Sequence, residues 1–309
     1  MISKKELWQP LPWTEWRETA ITLHLFTQII GKIRLALMPM QVQWAQVPFT
    51  VTSRGLASIG MPVEFGSLDI AFDFIEHRIH FNASDGRSVS FSLENHSAAG
   101  FYKEVMQILN ELDVRININP MSVEMQTAIK MDTDEEHKTY DGNFVRQWWH
   151  LLVLVSNVFN KFRSRFSGKE SPVNFFWGSF DLAITFFSGK NVEPKPEFDL
   201  IYRVAMDAEQ TTFGFWCGND SAPEPVFFAY TYPKPEGLEN EKVNPAPAHW
   251  SVEKGEFILP YEAVRKENDP EKTLLEFCVS TYKAGTKLAG WDIPTLEHKP
   301  PIEKPEVKK

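Results

Sequence analysis

Short runs of alternating apolar residues, joined by tight turns, limit the possible folds of this chain most strongly. The runs at 78–83 and 88–94 are separated by Ser84-Asp85-Gly86-Arg87. Asp-Gly at this point indicates a β-hairpin, because glycine accepts a positive φ. The same reasoning predicts strands at 42–53, 68–75, 114–118, 173–187, 200–208, 211–217, 225–232, 247–252 and 256–261. We therefore expect antiparallel sheets.

Helices are predicted where the apolar spacing changes to three or four residues. They cover about 14–37, 97–112, 143–167 and 270–288. The first has a buried stripe of Ile21, Leu25, Ile29 and Ile33. His24, Gln28 and Lys32 form a neighbouring polar stripe, which we interpret as the solvated side of the helix. The alternative is that this stripe faces a cavity, with His24 as an acid or base.

The predicted fold class is α+β, with antiparallel sheets flanked by long helices in two similar halves. The first half covers 1–119 and the second 143–292, each in the order helix, sheet, helix. An acidic, polar linker at 120–142 separates them, and a mobile tail follows at 293–309. An ancient internal duplication explains this likeness, and convergence of pattern is the alternative.

Charge and cysteine content limit the partners and the location. A formal net charge of −9 argues against nucleic acid as a partner, because phosphate binding needs clustered Lys and Arg. Cys217 and Cys278, the two cysteines, fit a reducing compartment and provide no zinc quartet. The apolar run at 148–155 is too short to cross a membrane, and Glu6 interrupts the region where a signal peptide would have its apolar core. We expect a cytoplasmic protein without a cofactor, a metal or a membrane partner.

Asp181 lies within PVNFFWGSFDLAITFFSGK (172–190), which we interpret as one long strand. Alternate residues of a strand point to opposite faces. One face then contains Phe176, Phe180, Leu182, Ile184 and Phe186 and belongs to the core. The other contains Phe175, Trp177, Ser179, Asp181, Ala183, Thr185 and Phe187.

Two interpretations of Asp181 compete. In the first, the carboxylate faces solvent or pairs with a basic residue at the end of the preceding helix: Lys161, Arg163 or Arg165. We favour it because lone buried charges are rare. In the second, the face lines a pocket in which rings supply contact area, and Asn174, Ser179 and Asp181 orient a ligand.

Other residues add to the pocket interpretation. Trp44 lies in a predicted aromatic strand of the first half, and Tyr230 and Tyr232 share one face of the strand at 225–232. In the segment His77-Arg78-Ile79-His80 the two histidines have opposite parity in a strand, so they are poorly placed to chelate one metal ion.

Several segments together resemble one family, in order and over nearly the whole chain. They are LHLFTQIIGKIRLAL (23–37), VTSRGL (51–56), FDFIEHRIHF (72–81), the stretch 172–190, PVFFAYTYP (225–233) and GEFILPYEAV (255–264). They resemble the family catalogued as domain of unknown function 5996. The resemblance implies no established activity, substrate or catalytic residue for this chain.

Three hypotheses for function follow. The leading one is a protein that binds a small aromatic or amphipathic ligand between sheet and helix, through Trp177, Ser179, Asp181, Asn174, His24, Gln28, Trp44, Tyr230 and Tyr232. The second is a cofactor-free acid/base or hydrolytic enzyme with Asp181 or His24 as the base. The third is a structural or interaction protein without a small-molecule site or a cleft. The sequence leaves the oligomeric state open.

Overall fold

A computed structural model of the protein describes residues 4–125 and 127–297. The fold is α+β, as predicted, with two antiparallel sheets and flanking helices. The helices are α1 Lys4–Leu7, α2 Trp13–Leu37, α3 Ala98–Glu111, α4 Gly142–Arg163, α5 Leu200–Ala205, α6 Tyr261–Arg265, α7 Pro270–Leu288 and α8 Ile293–Leu296. The strands are β1 Thr50–Val51, β2 Gly55–Val63, β3 Gly66–Asp73, β4 Arg78–Ala83, β5 Ser88–Ser92, β6 Asn174–Phe176, β7 Asp181–Asn191, β8 Ala208–Trp216, β9 Val226–Tyr232, β10 His249–Ser251 and β11 Glu256–Pro260.

The first sheet is an antiparallel meander in the order β1-β2-β3-β4-β5. The predicted hairpin joins β4 and β5, with Asn82 opposite Ser88. Gly86 in its turn has a φ of 97°, which glycine adopts without the steric cost that a Cβ would impose. The Asp-Gly prediction is therefore confirmed.

The second sheet has the order β10-β11-β9-β8-β7-β6, again with antiparallel pairs throughout. Phe49 and Phe175 exchange two backbone hydrogen bonds, of 2.9 and 3.0 Å, and so connect the two sheets at their edges. Helix α2 packs on the first sheet, and α3 packs on α2, with Phe101 of α3 stacked on Phe72 of β3. Helices α4 and α7 cover one face of the second sheet. A continuous aromatic and aliphatic core extends through both parts.

Helix α2 runs through this core. By length and composition it could cross a membrane, since its most apolar 18-residue stretch has a mean hydropathy of 1.3. However, 67% of that stretch is buried inside the protein, as in the core helix of a soluble protein. The cytoplasmic location stays a prediction.

Three predicted strands are wrong. In 42–53 only Thr50–Val51 is a strand, because Gln43 and Trp44 adopt positive φ in a 3₁₀ turn at Val42–Trp44. The segment 114–118 lies outside both sheets. Within 200–208 the chain forms α5, whose first turn is capped by the Asp199 side chain through a 2.9 Å bond from the Tyr202 N–H.

Strand β2 was not predicted, because glycine and proline interrupt its alternation. The register shifts between Ser58 and Met61, and Gly60 has a φ of 70° there. A bulge of this kind adds residues to one strand and breaks the period of two.

The segment 120–142 contains no strand among its described residues, and helix α4 begins only at Gly142. Parts of it are nevertheless fully buried, including Met131 and Asp134. The division of the chain into two domains around this segment stays a prediction, as does the internal duplication.

Candidate functional site

The predicted strand 173–187 is not one element, because the chain reverses within it. β6 and β7 form a hairpin, and residues 177–180 form its turn. Phe180 has a φ of 60°, a left-handed conformation that costs a residue on the order of 1–3 kcal/mol. Its ring lies parallel to Trp148 with centroids 4.8 Å apart, and it also stacks on His24 at 4.6 Å. Packing on both ring faces holds Phe180 in this conformation.

The predicted division into two faces is correct only along β7. Leu182, Ile184 and Phe186 are buried on the core side. Asp181 begins the opposite face, but it is also buried, with only 8% of its surface exposed. The prediction that Asp181 lies outside the protein interior is therefore wrong.

Ser179 is the neighbour that contacts Asp181 most directly, since its hydroxyl donates a hydrogen bond to Asp181 Oδ1. The favoured ion pair with Lys161, Arg163 or Arg165 is wrong: Arg163 Nη2 binds Glu170 Oε1 at 2.8 Å instead. Over residues 4–125 and 127–297, no lysine or arginine forms an ion pair with Asp181.

Burial without a cation changes the acidity of Asp181. Loss of hydration is the main cause that raises its pKa to about 7, and the charges of Glu124 and Glu256 act in the same direction. The hydrogen bond from Ser179 opposes this shift only in part. Burial likewise raises the pKa of Glu256 to about 7 and that of Tyr230 to about 12. Carboxyl groups on this face of the sheet are thus partly protonated near neutral pH.

His24 approaches the 177–180 turn from helix α2. Its Nε2 lies 3.0 Å from the Trp177 carbonyl oxygen and 2.9 Å from that of Gly178. Because carbonyl oxygens only accept, the proton of the neutral ring is assigned to Nε2. Burial lowers the pKa of His24 to about 4, so the ring is neutral at physiological pH.

The polar stripe of α2 is buried rather than solvated, which corrects the favoured interpretation. Gln28 is fully buried, and Lys32 is only 9% exposed. The Gln28 amide donates to the Val123 carbonyl at 2.7 Å and accepts from the Val123 N–H at 2.8 Å. Gln28 therefore ties the segment 120–142 to helix α2.

A buried carboxylate orients a second imidazole in that segment. Asp134 is fully buried, and its Oδ2 lies 2.6 Å from His137 Nδ1. Its Oδ1 accepts the backbone N–H groups of Glu136 and His137, each at 3.0 Å. The structural role of this turn is to bind the first turn of α3, since its carbonyls accept from Ala98 and Ala99.

These elements surround a partly open cavity of about 160 Å³, which we call the α2 cavity. Its walls are the first half of α2, residues 124, 125 and 127, the 177–180 turn, and the loop after β8. The lining residues are Trp13, Arg17, Ala20, Ile21, His24, Glu124, Met125, Thr127, His137, Ser179, Phe180, Trp216, Gly218, Asn219 and Asp220. For comparison, a cavity of roughly 150 Å³ holds one benzene ring.

The structure brings only part of the predicted site together. His24 and Ser179 line the α2 cavity. Outside the lining, Gln28 and Trp177 contact His24, and Asp181 accepts a hydrogen bond from Ser179.

The other predicted residues lie outside the lining. Trp44 donates its indole N–H to the Ile201 carbonyl at 2.9 Å, and Asn174 is buried in β6 opposite Ala183. Tyr230 and Tyr232 share a face of β9 as predicted, with Tyr230 opposite Thr212 and Tyr232 opposite Gln210.

Sequence reasoning missed Arg17, Glu124 and His137. The last two belong to a segment without periodicity, which was interpreted only as a linker. The spacing Asp134-x-x-His137 was the one available signal, since an aspartate can accept from a histidine three residues later.

A group of possible metal ligands lies outside the cavity. Atoms of Asp73, Glu76 and His80 are within 4.8 Å of one another. Arg54 already bridges the two carboxylates, with Nη2 2.9 Å from Glu76 Oε1. His77 turns away from this group, because its Nδ1 lies 3.0 Å from the Tyr140 hydroxyl.

Comparison with known proteins gives one match. Residues 8–298 match the model of a family of unknown function, DUF5996. Neither a curated protein nor a solved structure matches the chain.

Proposed function

The chain belongs to the DUF5996 family of unknown function, and we propose that it binds a small aromatic or amphipathic ligand in the α2 cavity. The observation that carries this proposal is a partly open space of about 160 Å³ whose lining combines rings with a few polar groups. Ligand sites typically have this mixture, because rings provide contact area and polar groups fix the orientation.

The rings are held rigidly, which favours binding over collapse of the cavity. Phe180 is fixed between Trp148 and His24, and Trp13 donates its indole N–H to Asp220 at 2.9 Å. A side chain already fixed by its neighbours loses little conformational entropy when a ligand arrives.

A thermal-shift screen with single-ring and indole compounds tests the proposal. At a concentration of 100 times its dissociation constant, a ligand adds about 2.7 kcal/mol to the free energy of unfolding, so a shift of a few degrees is expected. Ala20→Leu fills the cavity from α2 and should abolish the shift. Ala128→Leu, at an exposed position outside the lining, is the matched control and should preserve it. Identical shifts in both variants would place the binding elsewhere.

A second candidate function is a cofactor-free acid/base or hydrolytic enzyme. It is favoured by the hydrogen bond between Ser179, which lines the cavity, and Asp181, whose pKa of about 7 suits proton transfer at neutral pH. His24 is a weaker candidate base, since its pKa is about 4. Hydrolysis of p-nitrophenyl acetate that follows a pKa near 7 and disappears in Asp181→Asn would support the enzyme. The same rate in wild type and Asp181→Asn would refute it.

A further inference from the structure

The two imidazoles of the α2 cavity both carry an uncommitted lone pair. In His24 the proton is on Nε2, which donates to two backbone carbonyls. Gln28 does not change this assignment, because its own amide is oriented by the Val123 backbone. Nδ1 of His24 is left as an acceptor, since the hydrogen bonds of the ring to the described part of the chain all involve Nε2.

The His137 ring also has one nitrogen without a partner, but here a carboxylate determines which nitrogen carries the proton. Asp134 Oδ2 lies 2.6 Å from Nδ1 and can only accept when ionised, so Nδ1 carries the proton. In the neutral ring, Nε2 is then the acceptor. It has no partner within residues 4–125 or 127–297, and the His137 ring lines the cavity.

The charged side chains of the lining differ in whether they have a partner of opposite charge. Arg17 is committed to Asp220, with Nε–Oδ1 at 2.6 Å and Nη2–Oδ2 at 2.7 Å. Glu124 has no such partner among the described residues. Its carboxyl group lies so close to the 177–180 turn that a Cβ on Gly178 would be 2.8 Å from Oε1. One carboxylate therefore faces the cavity without a counter-charge.

Among the described residues of the lining, the donors without partners are neutral. Asn219 Oδ1 accepts the N–H groups of Ser221 and Ala222, each at 2.9 Å, which leaves its amide NH₂. Acceptors, in contrast, include one carboxylate and two imidazole nitrogens. A ligand that complements this set must bring a positive charge and several N–H donors.

An aromatic ring of the lining favours the same charge. The face of Trp216 carries negative electrostatic potential, which attracts cations within about 6 Å of the ring centre. Trp216 already has an ammonium of this chain near its ring, with Lys254 Nζ 5.2 Å from the centroid.

We infer that the ligand of the α2 cavity is a small primary amine, protonated and attached to one aromatic ring, whose ammonium group binds Glu124 and the two imidazole lone pairs. This inference deepens the proposed function and rests on it. An ammonium provides three donors and one positive charge. The ring of the ligand fills the apolar part of the cavity beside Phe180 and Trp216.

Calorimetric titration with three ligands of equal size tests the inference at pH 7 and constant ionic strength. Benzylamine is cationic, benzyl alcohol neutral and benzoate anionic. We expect benzylamine to bind at least tenfold more tightly than benzyl alcohol, a difference of about 1.4 kcal/mol, and benzoate to bind most weakly. Glu124→Gln should lower the affinity for benzylamine about tenfold and leave that for benzyl alcohol unchanged.

Glu64→Gln is the matched control, because Glu64 is exposed in the turn between β2 and β3 and lies outside the cavity. It should bind all three compounds like the wild type. If benzyl alcohol or benzoate binds as tightly as benzylamine, the inference of an amine ligand is wrong, while the proposed function stands. If none of the three binds at millimolar concentration, both are wrong. A Glu124→Gln variant with undiminished preference for benzylamine also overturns the inference.

Discussion

Replacing Asp181 with asparagine should make the protein more stable at pH 8 than the wild type. The exchange keeps the size of the side chain and an oxygen that can accept from Ser179, and it removes the ionisable proton. In the folded state the pKa of Asp181 is about 7, against an ordinary value of 3.8. Between these values the folded wild type binds a proton that the unfolded chain has released, so its free energy of unfolding falls as the pH rises.

The magnitude follows from the width of this window. A difference of one pKa unit corresponds to about 1.4 kcal/mol, and about three units give a loss on the order of 4 kcal/mol above pH 7. The loss is absent below about pH 4, where both states are protonated. Asparagine has no such dependence, so the stability difference between variant and wild type should grow from pH 4 to 7 and then level off.

Urea denaturation followed by tryptophan fluorescence, at pH values from 4.5 to 8.5, measures this difference. Other groups titrate in the same range: Glu256, with a pKa near 7, has the same sign as Asp181, and His24 has the opposite sign. Subtracting the two pH profiles cancels these contributions. Asp132→Asn, at an exposed position, is the control and should follow the wild type. A difference independent of pH would show that Asp181 has the same pKa in the folded and unfolded states, and a variant destabilised most at pH 8 would show that Asp181 is ionised and stabilising in the folded protein; either result refutes the reasoning.

Two further predictions concern helix α2. The folded pKa of His24 is about 4 against an ordinary 6.5, so the unfolded chain binds more protons between these values and wild-type stability falls as the pH drops from 6.5 to 4. His24→Gln should reduce this slope by up to about 1.4 kcal/mol per pH unit, and an unchanged slope in urea denaturation would contradict the assignment. Gly31→Ala places a Cβ 2.1 Å from the Trp177 ring. The resulting overpacking should destabilise the protein by about 1–3 kcal/mol, whereas the higher helix propensity of alanine contributes about 1 kcal/mol in the opposite direction. A variant more stable than wild type by thermal denaturation would show that the ring moves freely.

Local signals predicted the parts of the fold that local chemistry decides. The Asp-Gly hairpin is present, and helices α3 and α7 lie within the ranges predicted from the apolar spacing, with Ser97 and Asp269 as their N-caps. Strand β2 and the 177–180 turn were missed because each depends on tertiary contacts. Phe180 adopts a positive φ where its ring stacks between Trp148 and His24, and no periodicity in the sequence encodes that arrangement.

The candidate site was predicted in part for the same reason. Asp181, Ser179 and His24 were recognisable as polar residues among rings. Their environment was misjudged, since a polar stripe on a helix is ordinarily solvated. Gln28 is instead fully buried and His24 half-buried, since the backbone of Val123, Trp177 and Gly178 satisfies their hydrogen bonds. The Val123 backbone, which binds Gln28, reaches helix α2 only because of the way the segment 120–142 folds.

The acidic groups around the α2 cavity differ in burial and in how completely they are satisfied: Asp134 and Asp181 are buried, whereas Glu124 is exposed. Asp134 accepts three hydrogen bonds from the turn that it stabilises. Asp181 receives one from a neutral hydroxyl, and Glu124 has no cationic partner in the part of the chain that the structure describes. Glu124 also shares with Phe180 a positive φ that is unfavourable for a residue with a Cβ. A buried carboxyl group without a cation, at Asp181, and backbone strain, at Phe180 and Glu124, therefore occur together at one cavity, and both are costs that packing alone would not retain. A cationic ligand would supply the charge that the folded chain does not provide there.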